Sequence, residues 1–158
     1  MRSSHPAART GGGWRAVPLD WMDRICKILV VEDDDAVRAL LGHVLEHQGY
    51  DFALASSAAE MRTALETDDY DVAIIDISLR GVENGFALAE VASDKGCGII
   101  LTTGDPAQRA RLEASGRRHI LKPFRILDLT ALVDQVLKDT EALCVPRPPD
   151  DSAVPAVR

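Results

Sequence analysis

Short apolar runs alternate with segments of helical periodicity along most of the chain, and this alternation constrains the fold more than any other feature of the sequence. The apolar runs predict five strands, at residues 27–31, 51–55, 72–75, 98–102 and 119–121. The segments that follow them carry apolar residues three and four positions apart, which predicts amphipathic helices. Strands joined by helical crossovers pair in parallel. The sequence therefore predicts an α/β fold with a doubly wound parallel sheet.

Short polar side chains mark where the first four predicted helices begin. An oxygen on such a side chain can accept a hydrogen bond from a free amide in the first helical turn. The predicted capping residues are Asp34 or Asp35, Ser57, Asn84 and Asp105. The fourth helix is expected to be short, because Gly116 ends it soon after Asp105.

Both ends of the chain differ in composition from the alternating region. Residues 1–23 are rich in Gly, Ser, Arg and Pro and show no periodicity, which predicts a disordered amino-terminal extension. Residues 143–158 include four prolines, too many for a helix or a central strand, and predict a disordered tail. One folded domain is expected between them, at residues 24–142, with no second domain after it.

Charge and cysteine usage exclude several classes of protein. The net charge of −7 argues against binding of nucleic acid through a basic surface. The apolar runs are too short to span a bilayer, and the amino terminus lacks the apolar core of a secretory signal. Cys26, Cys97 and Cys144 show no metal-ligand spacing, so we interpret them as ordinary thiols and expect no structural disulfide. These features indicate a cytoplasmic protein without a membrane partner.

The residues that follow the central strands are expected to carry function, because a doubly wound sheet binds ligands at the carboxyl ends of its strands. Glu32 and Asp33 follow the first strand, and Asp76 follows the third. Thr103 follows the fourth strand and Lys122 follows the fifth. These five residues are therefore expected to converge on one edge of the sheet.

The chemistry of this set favours phosphoryl transfer. Clustered carboxylates repel one another unless a cation neutralises them, and ligands that are all oxygen suit Mg²⁺. A metal held in this way can also neutralise an incoming phosphoryl group, so that Asp76 can act as a nucleophile and form an aspartyl phosphate. The Lys122 ammonium and the Thr103 hydroxyl would then contact the other phosphoryl oxygens.

Four segments together give the chain a specific resemblance. They are ILVVEDD (28–34), AIIDISL (73–79), LTTG (101–104) and LKPF (121–124). In this order and spacing they resemble the response-regulator receiver family of two-component signalling, over about residues 25–141. The resemblance implies a flavodoxin-like (βα)5 sheet in strand order 2-1-3-4-5, like that of single-domain chemotaxis-type receivers. It also implies that a histidine kinase phosphorylates Asp76 and that Pro123 follows a cis peptide bond.

The resemblance assigns further roles around the acid pocket. It implies that Asp33 ligates Mg²⁺ directly, that Glu32 acts through metal-bound water, and that the main-chain carbonyl of Ser78 is a further ligand. Thr103 matches the hydroxyl that moves when such domains switch. His119 occupies the position of the aromatic switch residue on the fifth strand.

The chain also departs from the family pattern. Arg80 stands where many receivers have a proline, and the region between Gly104 and Lys122 is shorter than in chemotaxis-type receivers. These departures and His119 leave the acid pocket complete. They affect instead the positions that move when such a domain signals.

The function expected from this resemblance is that of a stand-alone response regulator rather than an enzyme, with at most slow loss of its own phosphoryl group. Its partners would be a sensor histidine kinase or a histidine phosphotransfer protein, and a downstream protein bound at the fourth-helix, fifth-strand and fifth-helix face. A second copy of the chain, in a homodimer, is a further candidate partner. Two alternatives stay open, a phosphorylation-independent interaction module and a phosphate sink or shuttle in a phosphorelay. A haloacid-dehalogenase-type phosphatase is disfavoured, because Ser78 stands where that chemistry requires an aspartate.

Overall fold

Strands and helices alternate along the part of the chain that the computed structural model describes, which comprises residues 24–81, 84–140, 142 and 144–148. The strands are β1 (Lys27–Val31), β2 (Asp51–Ala55), β3 (Val72–Asp76), β4 (Gly98–Thr103) and β5 (His119–Leu121). The helices are α1 (Asp35–His47), α2 (Ala58–Thr67), α3 (Gly85–Asp94), α4 (Arg109–Ala114) and α5 (Ile126–Asp139). A 3₁₀ turn, Pro106–Gln108, directly precedes α4. Each predicted element is therefore present, and the fourth helix is short as expected.

The five strands form one parallel sheet in the order β2-β1-β3-β4-β5, which confirms the predicted topology. Alternate residues of each strand enter opposite layers of the core. Leu29 and Ile75 pack into one apolar cluster, whereas Ile28 and Ile74 pack into the other. Both faces of the central strands are thus covered, and every residue of β3 is buried. This explains why the sequence of β3 is a continuous apolar run.

Helix caps hold the start of each crossover close to the carboxyl edge of the sheet. The Asp34 carboxylate accepts hydrogen bonds from the amides of Ala36 and Val37 at 2.9 and 3.0 Å, so Asp34 is the cap and Asp35 is the first residue of α1. The Asn84 side chain accepts from the Ala87 amide at 3.0 Å, as predicted for α3. These bonds fix the directions in which the chain leaves β1 and enters α3.

At the opposite, amino-terminal edge of the sheet, the structure corrects the interpretation of the cysteines. Cys26 and Cys144 form a disulfide, and Cys97 is the free cysteine. Cys26 lies just before β1, and α5 runs back across the sheet to bring Cys144 beside it. The two residues are 118 positions apart in sequence, so no local spacing indicates the pair.

The described residues of the predicted tail, 144–148, contact the amino-terminal edge of the sheet. Val145 forms a parallel bridge with Ile25, and the Val145 amide donates to the Arg24 carbonyl at 2.9 Å. The Arg147 amide donates to the carbonyl of Gly49 at 2.6 Å. These contacts lie beyond residue 142, and the domain boundary at that residue stays a prediction. The predicted extension at 1–23 and the rest of the tail, 149–158, lie outside the described residues.

Candidate functional site

The five predicted site residues leave the sheet at one edge, and backbone hydrogen bonds fix the strand ends that carry them. The Glu32 amide continues the ladder from β1 to Ala55 of β2 at 3.0 Å. The Lys122 amide donates to the carbonyl of Thr103 at 2.8 Å. Asp76 is the last residue of β3, between these two pairs. The convergence predicted from strand order is therefore present in the structure.

Three carboxylates form the centre of the site. Glu32 is 1% exposed and Asp76 5% exposed, whereas Asp33 is half-buried. One oxygen from each of the three lies within 4.8 Å of the others. Charges of one sign at this spacing, out of bulk water, require a positive partner. The structure thus concentrates negative charge at the carboxyl edge of the central strands.

Lys122 supplies part of that compensation. Its Nζ donates to Glu32 Oε2 at 2.5 Å and to Asp76 Oδ2 at 2.9 Å. Burial by itself lowers the pKa of this ammonium, but the hydrogen bonds and charges of the two carboxylates outweigh it and raise the pKa. The lysine is therefore held as a cation between the two buried acids.

Glu32 is the least exposed of the three acids, and this burial changes the pKa of its carboxyl. Burial raises the pKa of this carboxyl, against the opposing effects of the Lys122 hydrogen bond and of the Asp34 amide. The Asp34 amide donates to Glu32 Oε1 at 3.1 Å, and Arg38 donates to the main-chain carbonyl of Glu32 at 2.8 Å. The Glu32 side chain is thus fixed at both oxygens.

Both carboxylate oxygens of Asp76 are also held. The Ser78 amide donates to Oδ1 at 2.7 Å, while Lys122 donates to Oδ2. Helix α3 approaches the same backbone closely, because a Cβ at Gly85 would lie 2.4 Å from Ile77 Cα and 2.8 Å from the Asp76 carbonyl oxygen. Only glycine permits this contact. The orientation of the Asp76 side chain is therefore set before any ligand arrives.

The Thr103 hydroxyl lies beside Ser78, a contact that the sequence analysis missed. Thr103 is 1% exposed, and its Oγ1 is 2.8 Å from Ser78 Oγ. The Asp105 amide donates to the same Thr103 oxygen at 3.0 Å. The Asp105 carboxylate accepts from the Ala107 amide at 2.9 Å and caps the 3₁₀ turn. The sequence predicted that Ser78 acts through its carbonyl, whereas the hydrogen bonds in the structure are made by its amide and its hydroxyl.

Arg80 is a second residue whose role at this edge was missed. Its amide donates to Asp33 Oδ2 at 3.1 Å, and its Nε lies 3.3 Å from the same oxygen. The Arg80 side chain is 89% exposed, so this ion pair is open to water. The signal in the sequence was a basic residue four positions after Asp76, in place of a proline.

His119 does not join the pocket. It is the first residue of β5, pairs in register with Leu101 and is half-buried. Its Nδ1 lies 3.0 Å from the Arg117 carbonyl oxygen. His119 lines an open cleft of about 520 Å³ together with Glu113, Gly116, Arg117, Arg118 and Leu132. The residue thus belongs to the α4, β5 and α5 face rather than to the acid cluster.

Two further observations concern the peptide bond after Lys122 and the length of the helices. The peptide bond between Lys122 and Pro123 is cis, as the resemblance implied. Among the described helices, none is both long and apolar enough to cross a membrane.

Comparison with curated proteins gives relatives that regulate transcription or respiration. The Aerobic respiration control protein ArcA of Escherichia coli (strain K12) is 33% identical over 117 residues, which are 72% of this chain and 49% of that protein. The TorCAD operon transcriptional regulatory protein TorR of the same strain is 29% identical over 114 residues, covering 70% of this chain and 49% of that protein. The chain thus spans about half the length of these curated relatives.

Solved structures resemble the chain over nearly their whole length. A CheY-like response regulator receiver domain protein from Methanospirillum hungatei JF-1 is 28% identical with a TM-score of 0.66, covering 74% of this chain and 97% of that chain. The response regulator protein TrrA from Thermotoga maritima, in complex with Mg²⁺-BeF, is 29% identical with a TM-score of 0.64, covering 72% of this chain and all of that one. The family model of the response regulator receiver domain matches residues 28–134. The chain therefore belongs to the family of response regulator receiver domains.

Proposed function

We propose that the domain accepts a phosphoryl group on Asp76 from a histidine kinase or a histidine phosphotransfer protein, in a reaction that depends on Mg²⁺. The observation that carries this proposal is the state of the Asp76 carboxylate. It is buried, each of its oxygens accepts a hydrogen bond, and it lies beside two further acids and a lysine. A nucleophile held in a fixed direction beside a cation is suited to in-line attack on phosphorus.

The donor set fits a magnesium ion. Mg²⁺ takes oxygen ligands at about 2.0–2.1 Å, so two direct ligands of one ion lie at most about 4.2 Å apart. The carboxylate oxygens lie within 4.8 Å of one another, so a small movement of the side chains would let them share one ion. Asp33 and Asp76 would be direct ligands, Glu32 would act through water, and the main-chain carbonyl of Ser78 would complete the protein's share. When bound, the ion neutralises charge on the phosphoryl oxygens.

The chain's own residues account for the remaining steps. A carboxylate oxygen of Asp76 attacks the phosphorus of the donor's phosphohistidine, the phosphorus–nitrogen bond breaks, and the imidazole leaves. The Lys122 ammonium, already 2.9 Å from Asp76 Oδ2, contacts an oxygen of the transferred group. The Thr103 hydroxyl donates to another oxygen. The product is an aspartyl phosphate on the protein, which hydrolyses slowly and gives no sustained turnover.

The output would be a protein contact that the receiver domain makes in the cytoplasm. Thr103 and His119 lie on β4 and β5, so a shift of the Thr103 hydroxyl toward the phosphoryl group would be passed to the β5 edge where His119 lies. The downstream protein, or a second copy of the chain, would bind the α4, β5 and α5 face. This assignment rests on the arrangement of the strands and on the family.

Acetyl phosphate with Mg²⁺ tests the proposal without a partner, read on a phosphate-affinity gel. We expect one retarded species for the wild type and for Asp69→Asn, a matched substitution at an exposed aspartate away from the site. Asp76→Asn should give none. If Asp76→Asn is modified equally, the proposed acceptor is wrong. Transfer from a panel of histidine kinases then identifies the donor, and return of the group to a phosphotransfer protein would indicate a shuttle.

A further inference from the structure

A cleft at the amino-terminal edge of the sheet opens onto the disulfide. It has a volume of about 260 Å³, and its lining residues include Cys26, Cys144, Lys138, Asp134 and Tyr50. Cys26 is 1% exposed, whereas Cys144 is half-buried. Because Cys144 is the more exposed of the two residues, we expect a thiol that enters the cleft to attack Cys144. This open side distinguishes the disulfide from one enclosed in the core.

We infer that the Cys26–Cys144 disulfide is a site of thiol–disulfide exchange, whose reduction by a small dithiol releases residues 144–148 from the sheet. The inference is independent of the proposed phosphoryl transfer. The two sites lie at opposite edges, because Cys26 precedes β1 and the acids Glu32 and Asp33 follow it.

A cation lines the cleft that opens onto the disulfide. The attacking species is a thiolate, and a nearby cation stabilises both an entering and a leaving thiolate. Lys138 lines the cleft and provides such a cation. Asp134 lines it too, but its carboxylate accepts a hydrogen bond from the Tyr50 hydroxyl at 2.7 Å. Burial, with help from Asp134, raises the pKa of that hydroxyl, so Tyr50 stays neutral.

The exchange is a two-electron reduction. One thiolate of the dithiol attacks Cys144 Sγ, the bond between the two protein sulfurs breaks, and Cys26 leaves as a thiolate that takes up a proton. The second thiol of the reductant then attacks the mixed disulfide. This step releases the Cys144 thiolate, and the reductant becomes a cyclic disulfide. The dithiol therefore supplies both electrons.

Residues 144–148 make few other contacts, so their position on the sheet depends on the disulfide. Residues 145–148 are all exposed, and Val145 is 42% exposed. The backbone bonds of Val145 and Arg147 are few, and the ion pair of Arg147 with Asp51 joins two exposed side chains. Exposed pairs of this kind add little stability. Once the covalent link opens, little apolar burial keeps the segment on the sheet.

Cys97 provides an internal control. It is 5% exposed, and burial raises the pKa of its thiol to about 11. A protonated, buried thiol reacts slowly with alkylating reagents. In the folded protein, Cys97 should therefore stay unmodified while the disulfide is opened and Cys144 is alkylated.

The test uses the oxidised full chain treated with dithiothreitol under native conditions, then with iodoacetamide and mass spectrometry. We expect alkylation of Cys144, which is released with its segment, but not of Cys97. Hydrogen exchange of the Val145 and Arg147 amides should become at least about tenfold faster, with β3 unchanged. Cys144→Ser should reproduce the fast exchange without reductant, and Cys97→Ser should behave as the wild type.

Three results would overturn the inference. The first is that the full chain, after treatment with glutathione disulfide, does not show the decrease in mass that formation of the disulfide would cause. The second is a disulfide that reacts with dithiothreitol only when β3 also exchanges, since this would mean that global unfolding exposes it. The third is a reduced wild type whose Val145 and Arg147 amides keep their protection. Because the reduced wild type needs no substitution, poor folding of Cys144→Ser would not obscure the outcome.

Discussion

The Ser78 hydroxyl lies 2.8 Å from the Thr103 hydroxyl, and the Asp105 amide donates to the same Thr103 oxygen at 3.0 Å. A hydroxyl group has one proton to donate and two lone pairs that accept. With Ser78 as a donor, both lone pairs of Thr103 are filled, and the single Thr103 proton points to the remaining side. Either hydroxyl could donate in this pair. We predict that Ser78 donates, and that the Thr103 proton is thereby left for a phosphoryl oxygen at Asp76.

Substitution of Ser78 should therefore slow phosphorylation through Thr103. We expect Ser78→Ala to lower the rate with acetyl phosphate about fivefold, the equivalent of one hydrogen bond of about 1 kcal/mol. Ser78→Thr keeps the hydroxyl and should recover most of the rate. Time courses on phosphate-affinity gels measure this. In a Thr103→Ala background, Ser78→Ala should have no further effect, and an equal loss in both backgrounds would contradict the positioning role.

Arg80 should compete with a metal ion for Asp33. Its guanidinium occupies Asp33 Oδ2 in the structure, although the side chain is 89% exposed and the pair is weak. We expect Arg80→Ala to tighten Mg²⁺ binding about two- to fivefold at low salt by titration calorimetry, with a smaller difference at high salt because ions screen the pair. Arg125→Ala removes a similarly exposed arginine that pairs with Asp128, and it should leave the affinity unchanged. Equal affinities for all three proteins would contradict the competition.

The contact at Gly85 predicts a loss of stability when a methyl group is added. Gly85→Ala places a Cβ against the backbone of Ile77 and Asp76, which cannot move aside as a flexible side chain could. We expect a destabilisation of about 1–3 kcal/mol, measured by urea unfolding. Gly104→Ala is the matched control, because its Cβ would lie at ordinary contact distances of 3.7 and 3.8 Å from Lys122. Similar losses for both variants would mean that the close approach is not the cause.

Because Cys97 is buried, we expect the free energy of unfolding to fall as the pH becomes alkaline. Burial raises the pKa of its thiol from 9.0 to about 11, so the folded state favours the protonated form. The thiol's contribution to the free energy of unfolding is fully present below the pKa that it has in the unfolded chain. It is lost as the pH rises from about 9 to about 11, at up to about 1.4 kcal/mol per pH unit. Urea unfolding at pH 8, 9 and 10 measures the loss. Cys97→Ala shares every other titrating group, so its stability should fall less steeply, and parallel curves would refute the assignment.

The pocket could be predicted from sequence because its signals are local. Each acid, hydroxyl or lysine directly follows a short apolar run, and parallel topology brings such positions to one edge. Caps such as Asp34 and Asn84 are local as well, and the structure has both.

The disulfide and the Arg80 contact could not be predicted in this way. The pairing of Cys26 with Cys144 depends on how α5 crosses the whole sheet, which no spacing of residues encodes. The contact of Arg80 with Asp33 joins the loop after β3 to the end of β1, and it depends on the path of that loop. The hydroxyl pair of Ser78 and Thr103 likewise depends on side-chain directions across two strands.

The bridge between Ile25 and Val145 lies where a pulling force on the two ends of the described domain would enter it. The disulfide joins Cys26 to Cys144 at the same place. A pulling force applied between residues 24 and 148 would run through the bond between the two sulfurs and bypass all five strands. While the disulfide is intact, the sheet would carry no tension, and Asp76 at the far edge would keep its geometry under load.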